Sequence, residues 1–190
     1  MPTGFIRLTA IAIAFASVSF AQIADYTPIT PSERVHWLLK VNFSPASLLV
    51  DVAHGAEDTL LDSSKEYGRH WDGFAKRVGI VTANYGVKTT IEAGLGSIWG
   101  EDPRYDRTEG QPFGSRLGHV VKMTFLARNR NGDMMPAYAR MIAIPGSNFL
   151  ANAWMTDSEA TVNAAAARTG MGFLTRMAEN AYKEFRPRHR

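Results

Sequence analysis

Apolar and polar positions recur along most of this chain at helical spacing. Thr30-Pro31-Ser32-Glu33 opens the first predicted helix: Thr30 caps, Pro31 suits the first turn, and Glu33 completes a capping box. It runs to about Val41, with Val35, Leu38 and Leu39 read as inward. Ser44-Pro45 starts a second helix, whose Leu48, Leu49, Val52 and Ala56 fall at 3.6-type spacing before an acidic stretch, residues 57–62, and a polar loop through Arg69. A third helix over about residues 72–99 carries two apolar stripes: Phe74, Val78, Val81 and Tyr85, then Val87, Ile91, Leu95 and Ile98. Ala75, Gly79, Ala83 and Gly86 form a small-residue line beside them. Each interior glycine costs roughly 1 kcal/mol against alanine, so this line predicts close approach by a neighbouring helix. The helix is expected in the middle of a bundle.

After a surface loop over residues 99–111, Pro112 opens a fourth helix with Phe113, Leu117, Val120, Val121 and Thr124 inward. Gly114 and Gly118, four apart, suit a tight crossing. Residues 129–133 form a turn with Asn131-Gly132 at its tip. Asn-Gly between apolar runs is also a hairpin signal, pairing 123–128 with 135–140. Met, Ala and Arg outnumber β-branched residues there, which favours helices. Pro136 then suits the first turn of a fifth helix, broken or kinked at Pro145-Gly146 before resuming to Trp154. Thr156 or Asp157 is expected to cap a long last helix, stopped by Pro187. Its stripe is Ala160, Ala164, Ala167, Met171, Leu174, Ala178, Ala181 and Phe185, with Arg168, Arg176, Glu179, Lys183 and Arg186 opposite. The fold class is therefore all-α: a multi-helix bundle with a long central Gly/Ala-rich helix and a long C-terminal amphipathic helix.

The first 21 residues read as a signal peptide. Arg7 gives the positive start, Leu8 begins an apolar stretch ending at Phe20, and Ser19 and Ala21 sit at the −3 and −1 positions of a cleavage site. Cleavage near Ala21 leaves residues 22–190 as a single helical domain, periplasmic or secreted. That mature part holds 20 Lys+Arg against 18 Asp+Glu, close to balance apart from the tail Arg186-Pro187-Arg188-His189-Arg190. Balanced charge and the lack of an aromatic-basic motif argue against nucleic acid as a partner. A protein partner or a membrane surface remains, and the oligomeric state is open. The chain has no cysteine, which excludes disulfides, thiolate nucleophiles and Cys-ligated metals.

Candidate chemistry is sparse. The glycines Gly94, Gly96 and Gly100 are spaced G-x-G-x-x-x-G after a helix, which suits packing and a helix cap at Gly100 better than a phosphate loop. The densest polar group is Glu101-Asp102-Pro103-Arg104-Tyr105, whose carboxylates, guanidinium and phenol offer acid/base chemistry on a rigid turn. The bland reading is a helix-ending turn in which Asp102 caps the next segment and Arg104 pairs with a carboxylate elsewhere. His54 and Glu57, one helical turn apart, are weak candidate metal ligands needing help from Asp58 or Asp62. His119 reads as a hydrogen-bonded core residue, and Trp71 as tucked into the core. No cofactor is called for, and no nucleophile motif occurs.

Residues 67–154 resemble an uncharacterised family of exported bacterial helical proteins. The likeness rests on a small-residue helix ending in Gly-x-Gly, then Gly100-Glu101-Asp102-Pro103-Arg104-Tyr105. Ala127-Arg128-Asn129-Arg130-Asn131-Gly132 and the closing Glu184-Phe185-x-Pro187 are similar too. The resemblance implies that the turn is characteristic of the family, and it implies no reaction. The leading expectation is a non-enzymatic structural or interaction protein of the cell envelope. One alternative is an envelope glycan hydrolase or lyase using the Glu101–Tyr105 turn; another is a membrane-embedded or membrane-associated helical bundle.

Overall fold

A computed structural model describes residues 26–61, 64–108 and 110–187. The signal peptide, Asp62 and the last three residues of the basic tail lie outside the described residues. The rest is a mostly helical bundle carrying one small two-stranded hairpin. Helix α1 (Pro31–Phe43) starts at the expected capping box: Thr30 accepts from the Glu33 amide at 3.2 Å and Glu33 accepts from the Thr30 amide at 2.8 Å. Helix α2 (Pro45–Leu61) follows after a single residue, so the two form one rod bent at Ser44-Pro45.

Helix α3 (Trp71–Trp99) runs antiparallel to that rod in a nearly constant register. Arg34 meets Gly96, Asn42 meets Thr89 at 2.9 Å, Asp51 meets Thr82 at 2.8 Å, and Gly55 meets Val78. Gly100, in the left-handed region at φ 75°, ends α3 as expected. Helices α4 (Phe113–Phe125) and α5 (Tyr138–Leu150) form a second interrupted rod. Helix α6 (Val162–Phe185) lies antiparallel to both: Phe113 packs on Phe185, Phe125 on Phe173, and Ile144 on Gly172. The α3–α5 pairing is antiparallel as well, from Trp99–Tyr138 at one end to Asn84–Trp154 at the other.

Between α4 and α5 the hairpin prevails over the expected helices. Strands β1 (Leu126–Arg128) and β2 (Met134–Pro136) pair antiparallel, with Ala127 opposite Met135. Asn129 Oδ1 accepts from the amides of Asn131 (2.8 Å) and Asp133 (3.0 Å), and Gly132 takes φ 86°. That side-chain-fixed turn, together with the Asp102 amide donating to Arg128 O at 2.9 Å, outweighs the helix propensity of Met and Ala. Two further boundaries move. Helix α5 passes through Pro145 unbroken, Ser147 and Asn148 both donating to Ile144 O nearby. Residues 156–160 form a separate turn on Thr156 O, so Thr161 rather than Thr156 or Asp157 caps α6.

The larger correction concerns which face of each helix points inward. On α1, Val35 and Leu39 are exposed while Arg34 and Asn42 are buried. On α2, Leu48, Leu49 and Val52 are exposed, and Asp51 and Gly55 face α3. On α4, Phe113, Leu117 and Val121 point out, leaving Val120, Met123 and Thr124 inside. On α6 the helix stands but its faces are exchanged: Met171 and Leu174 are exposed at 61% and 57%, whereas Arg176, Asn180 and Glu184 are buried. Trp71, at 80% exposed, stacks only on Phe74. The small-residue line of α3 is corrected too, since a Cβ added at Gly79 would meet nothing. Gly114 and Gly118 are equally open, so neither makes a tight crossing. The close approaches occur at Gly55, Gly96 and Gly172 instead. Beside Val120, Met123 and Ile144 the interior is built mainly from alanine and polar side chains, and many large apolar ones lie outside.

Candidate functional site

Polar burial concentrates where the ends of α3 and α6 meet the Glu101–Tyr105 turn. Gly100 turns the chain sharply at the end of α3 and sends Glu101, Asp102 and Pro103 inward, all three buried. Glu101 Oε2 accepts from the Ala139 amide at 2.8 Å, which caps the start of α5. Its Oε1 is buried without a hydrogen-bond partner, and burial raises its pKa above the ordinary value. Asp102 takes three hydrogen bonds from its near neighbour Arg104: the backbone amide at 2.9 Å, and Nε and Nη2 at 3.0 and 2.7 Å. The Tyr26 hydroxyl donates to Asp102 Oδ2 at 2.9 Å, and burial together with that carboxylate pushes the phenol up to about 12. The Tyr105 hydroxyl donates to Glu184 Oε2 at 2.9 Å, and desolvation raises its pKa as well.

Backbone carbonyls of the turn are bound by distant arginines. Arg34 of α1 donates to Glu101 O at 2.8 Å, and Arg176 of α6 donates to Pro103 O at 2.9 Å. Asp106 continues the pattern by pairing with Arg128 of β1 and accepting, through its backbone oxygen, a contact from His119 at 2.7 Å. The turn thus ties α1, α3, α4, the hairpin, α5 and α6 to one point. Arg104 pairs chiefly with Asp102 itself rather than with the expected carboxylate elsewhere, and His119 is hydrogen-bonded but half-buried, not a core residue.

A second polar centre lies one helical turn inside. Glu92 of α3 sits between Arg140 of α5 (3.0 Å) and Arg176 of α6 (3.6 Å), with all three side chains almost fully buried. Desolvation alone would raise the Glu92 pKa, but the two guanidinium charges overcome it and hold the carboxyl below its ordinary value. Arg140 Nη1 also donates to Met123 O (2.8 Å) and Thr124 O (3.2 Å), closing the C-terminal turn of α4. Toward the surface, Glu179 pairs with Arg176 (3.6 Å) and Lys183 (3.9 Å) and accepts from the Tyr85 hydroxyl at 3.3 Å. Lys88 Nζ stands 3.8 Å from the Tyr85 ring centre. Burial and the Arg176 charge push Lys183 down to about 8.

The residues singled out by sequence divide accordingly. Of Glu101, Asp102, Arg104 and Tyr105 only Asp102 and Arg104 are brought together; Glu101 turns to the start of α5 and Tyr105 to Glu184 of α6. His54 and Glu57 are both exposed on α2. Among the described residues no three His, Asp or Glu side chains converge in a way that could hold a metal ion. Sequence reasoning passed over Glu92, Arg140, Arg176, Glu184 and Arg34. One signal was available: Arg176, Asn180 and Glu184 repeat every four residues on the same side as Ala165 and Gly172. Comparison with protein-family models, with curated proteins and with solved structures finds no match for the chain.

Proposed function

We propose that the protein is a non-enzymatic helical component of the cell envelope, exported by its N-terminal signal and seated in the apolar layer of a membrane. One observation carries this reading: the helices bury charge and expose large apolar side chains. Arg140, Glu92, Glu184 and Asn180 are each 2% exposed or less, while Leu49, Leu60, Leu61 and Ile98 are each about 70% exposed. In water each such side chain forgoes about 25 cal/mol for every Å² left uncovered; six of the exposed large apolar side chains, Leu48, Leu49, Val50, Val52, Leu60 and Leu61, lie along α2, the kind of surface that marks an interaction site. In a lipid layer the same arrangement is favourable, because charged side chains there face the bundle interior and pair with one another.

No helix among the described residues is long and apolar enough to cross a membrane. The proposed placement is therefore insertion into one leaflet, not a set of full spans. The glycan hydrolase or lyase reading draws less support, because Glu101 is 1% exposed and Asp102 is saturated by Arg104 and Tyr26. Neither carboxylate has a free face toward a polysaccharide. The test is flotation of the purified chain with phospholipid vesicles, followed by washing at high salt and in alkaline carbonate. The protein is expected to float and to leave the vesicles only with detergent; release by carbonate would overturn membrane insertion.

A further inference from the structure

A cavity lies away from the ionic centre, where residues 26–31 and α1 cross the last turns of α3. Its volume is about 570 Å³, within the roughly 300–1,000 Å³ of small-molecule sites. Ile29, Val35, Leu38 and Ala93 give it an apolar wall. Two guanidinium groups, Arg34 and Arg130, complete it at the end near Gly100. Arg34 is nine-tenths buried; its Nη2 is spent on Glu101 O, and its Nη1 has no hydrogen-bond partner. Arg130 is exposed and held by one bond, from Nη2 to Ser97 O at 2.9 Å. The nearby carboxylate of Asp102 is already neutralised by Arg104. Arg34 Nη1 is packed against Gly96 and closed to the groove, so the anion-binding end is the exposed Arg130 guanidinium, and an apolar trough ending in that charge has the complement of a single-chain amphiphile with an anionic head.

We propose that this groove binds a long-chain fatty acid, its alkyl chain along α1 and α3 and its carboxylate at Arg130. A carboxylate accepts paired bonds from a guanidinium group, and near an apolar wall such charge-assisted bonds are stronger than neutral ones. The alkyl chain supplies the affinity and Arg130 supplies the preference for an acid over an alcohol. The proposal stands whether or not the outer faces of the helices meet lipid.

Gly94 provides a blocking position, because it lines the groove and a Cβ added there would meet nothing within 4 Å. The test is calorimetric titration of the full chain with palmitate below its micellar concentration, and with hexadecanol as the uncharged control. Palmitate is expected to bind with one site, and hexadecanol about tenfold more weakly, the difference expected for one charge-assisted pair. Gly94→Phe is expected to abolish palmitate binding with an unchanged helical circular-dichroism spectrum. Arg130→Glu, at an exposed position, is expected to weaken palmitate at least tenfold and leave hexadecanol unaffected, which keeps the test open if Gly94→Phe does not fold. The proposal is overturned if palmitate fails to bind, if hexadecanol binds as well as palmitate, or if binding survives Arg130→Glu.

Discussion

Glu101 holds a carboxylate with one oxygen on the Ala139 amide and the other facing nothing that can donate to it. Its pKa is raised in the folded chain, mainly by burial. The sign follows from proton counting: above the ordinary value of 4.5 the unfolded chain releases this proton first, so the folded state loses stability as pH rises through that window. Below it, both states are protonated and the penalty vanishes. Glu101→Gln keeps an acceptor for Ala139 and removes the charge. It is expected to raise the thermal midpoint by a few degrees at pH 7 and to leave it unchanged near pH 4, as read by circular dichroism. Glu92 behaves oppositely. Its pKa is depressed by Arg176 and Arg140, so its contribution is present above the unfolded pKa and fades as pH falls through the folded value. Glu92→Gln leaves two buried guanidinium groups short of a counter-charge. It is expected to cost about 3–5 kcal/mol in denaturant unfolding at pH 7, with the deficit shrinking in acid.

Among the helices, glycines separate into those that permit contact and those that face open space. A Cβ at Gly55 would come within 2.4 Å of the Val78 side chain, and one at Gly172 within 2.7 Å of Ile144. Gly79 and Gly118 have nothing in reach. Gly55→Ala and Gly172→Ala are therefore expected to destabilise by about 1–3 kcal/mol through overpacking. Gly79→Ala and Gly118→Ala should instead stabilise by about 0.5–1 kcal/mol through helix propensity. Urea melts of the four variants distinguish the two groups, and equal effects would deny the packing. This contrast also measures what sequence could tell. Helix starts at Thr30 and Pro45 and the stop at Gly100 were legible, because caps are local chemistry. Periodicity located α6 but not its inner face, since Met171-Leu174 and Arg176-Asn180-Glu184 recur at equal helical spacing and only the surroundings decide which is buried. The hairpin at Ala127 was recognisable as Asn-Gly, but helix propensity favoured helices there, and the pairing that overturns them depends in part on the distant Asp102 amide. The turn at Glu101–Tyr105 was legible as a unit. Its partners Arg34, Arg176 and Glu184, between 67 and 79 residues away, were not.

At the scale of the whole molecule, charge inside and hydrocarbon outside must be maintained by different forces. The interior is fixed by paired ions and bonds to backbone carbonyls, whose loss is costly wherever the protein sits. The outer leucines Leu49, Leu60 and Leu61 contribute little to that frame, because about 70% of each is left uncovered by the protein. Stability and membrane affinity should then be separable by substitution. Leu49, Leu60 and Ile98 are 69%, 74% and 70% exposed and lie outside both polar centres. Replacing all three with glutamine adds no charge that could bind anionic headgroups, and surface changes of this kind each stay within about 0.5 kcal/mol. The triple variant is expected to keep the thermal midpoint of the parent within a few degrees. Its recovery with floating vesicles is expected to fall by more than half, since each leucine withdrawn from the hydrocarbon gives up about 1.5–3 kcal/mol of transfer free energy. If the variant unfolds, those side chains are packed against protein and not lipid. If it floats as well as the parent, the outward leucines are not what holds the molecule to the membrane, and insertion must be sought on the α4–α6 side, at Phe113, Leu174 and Tyr182.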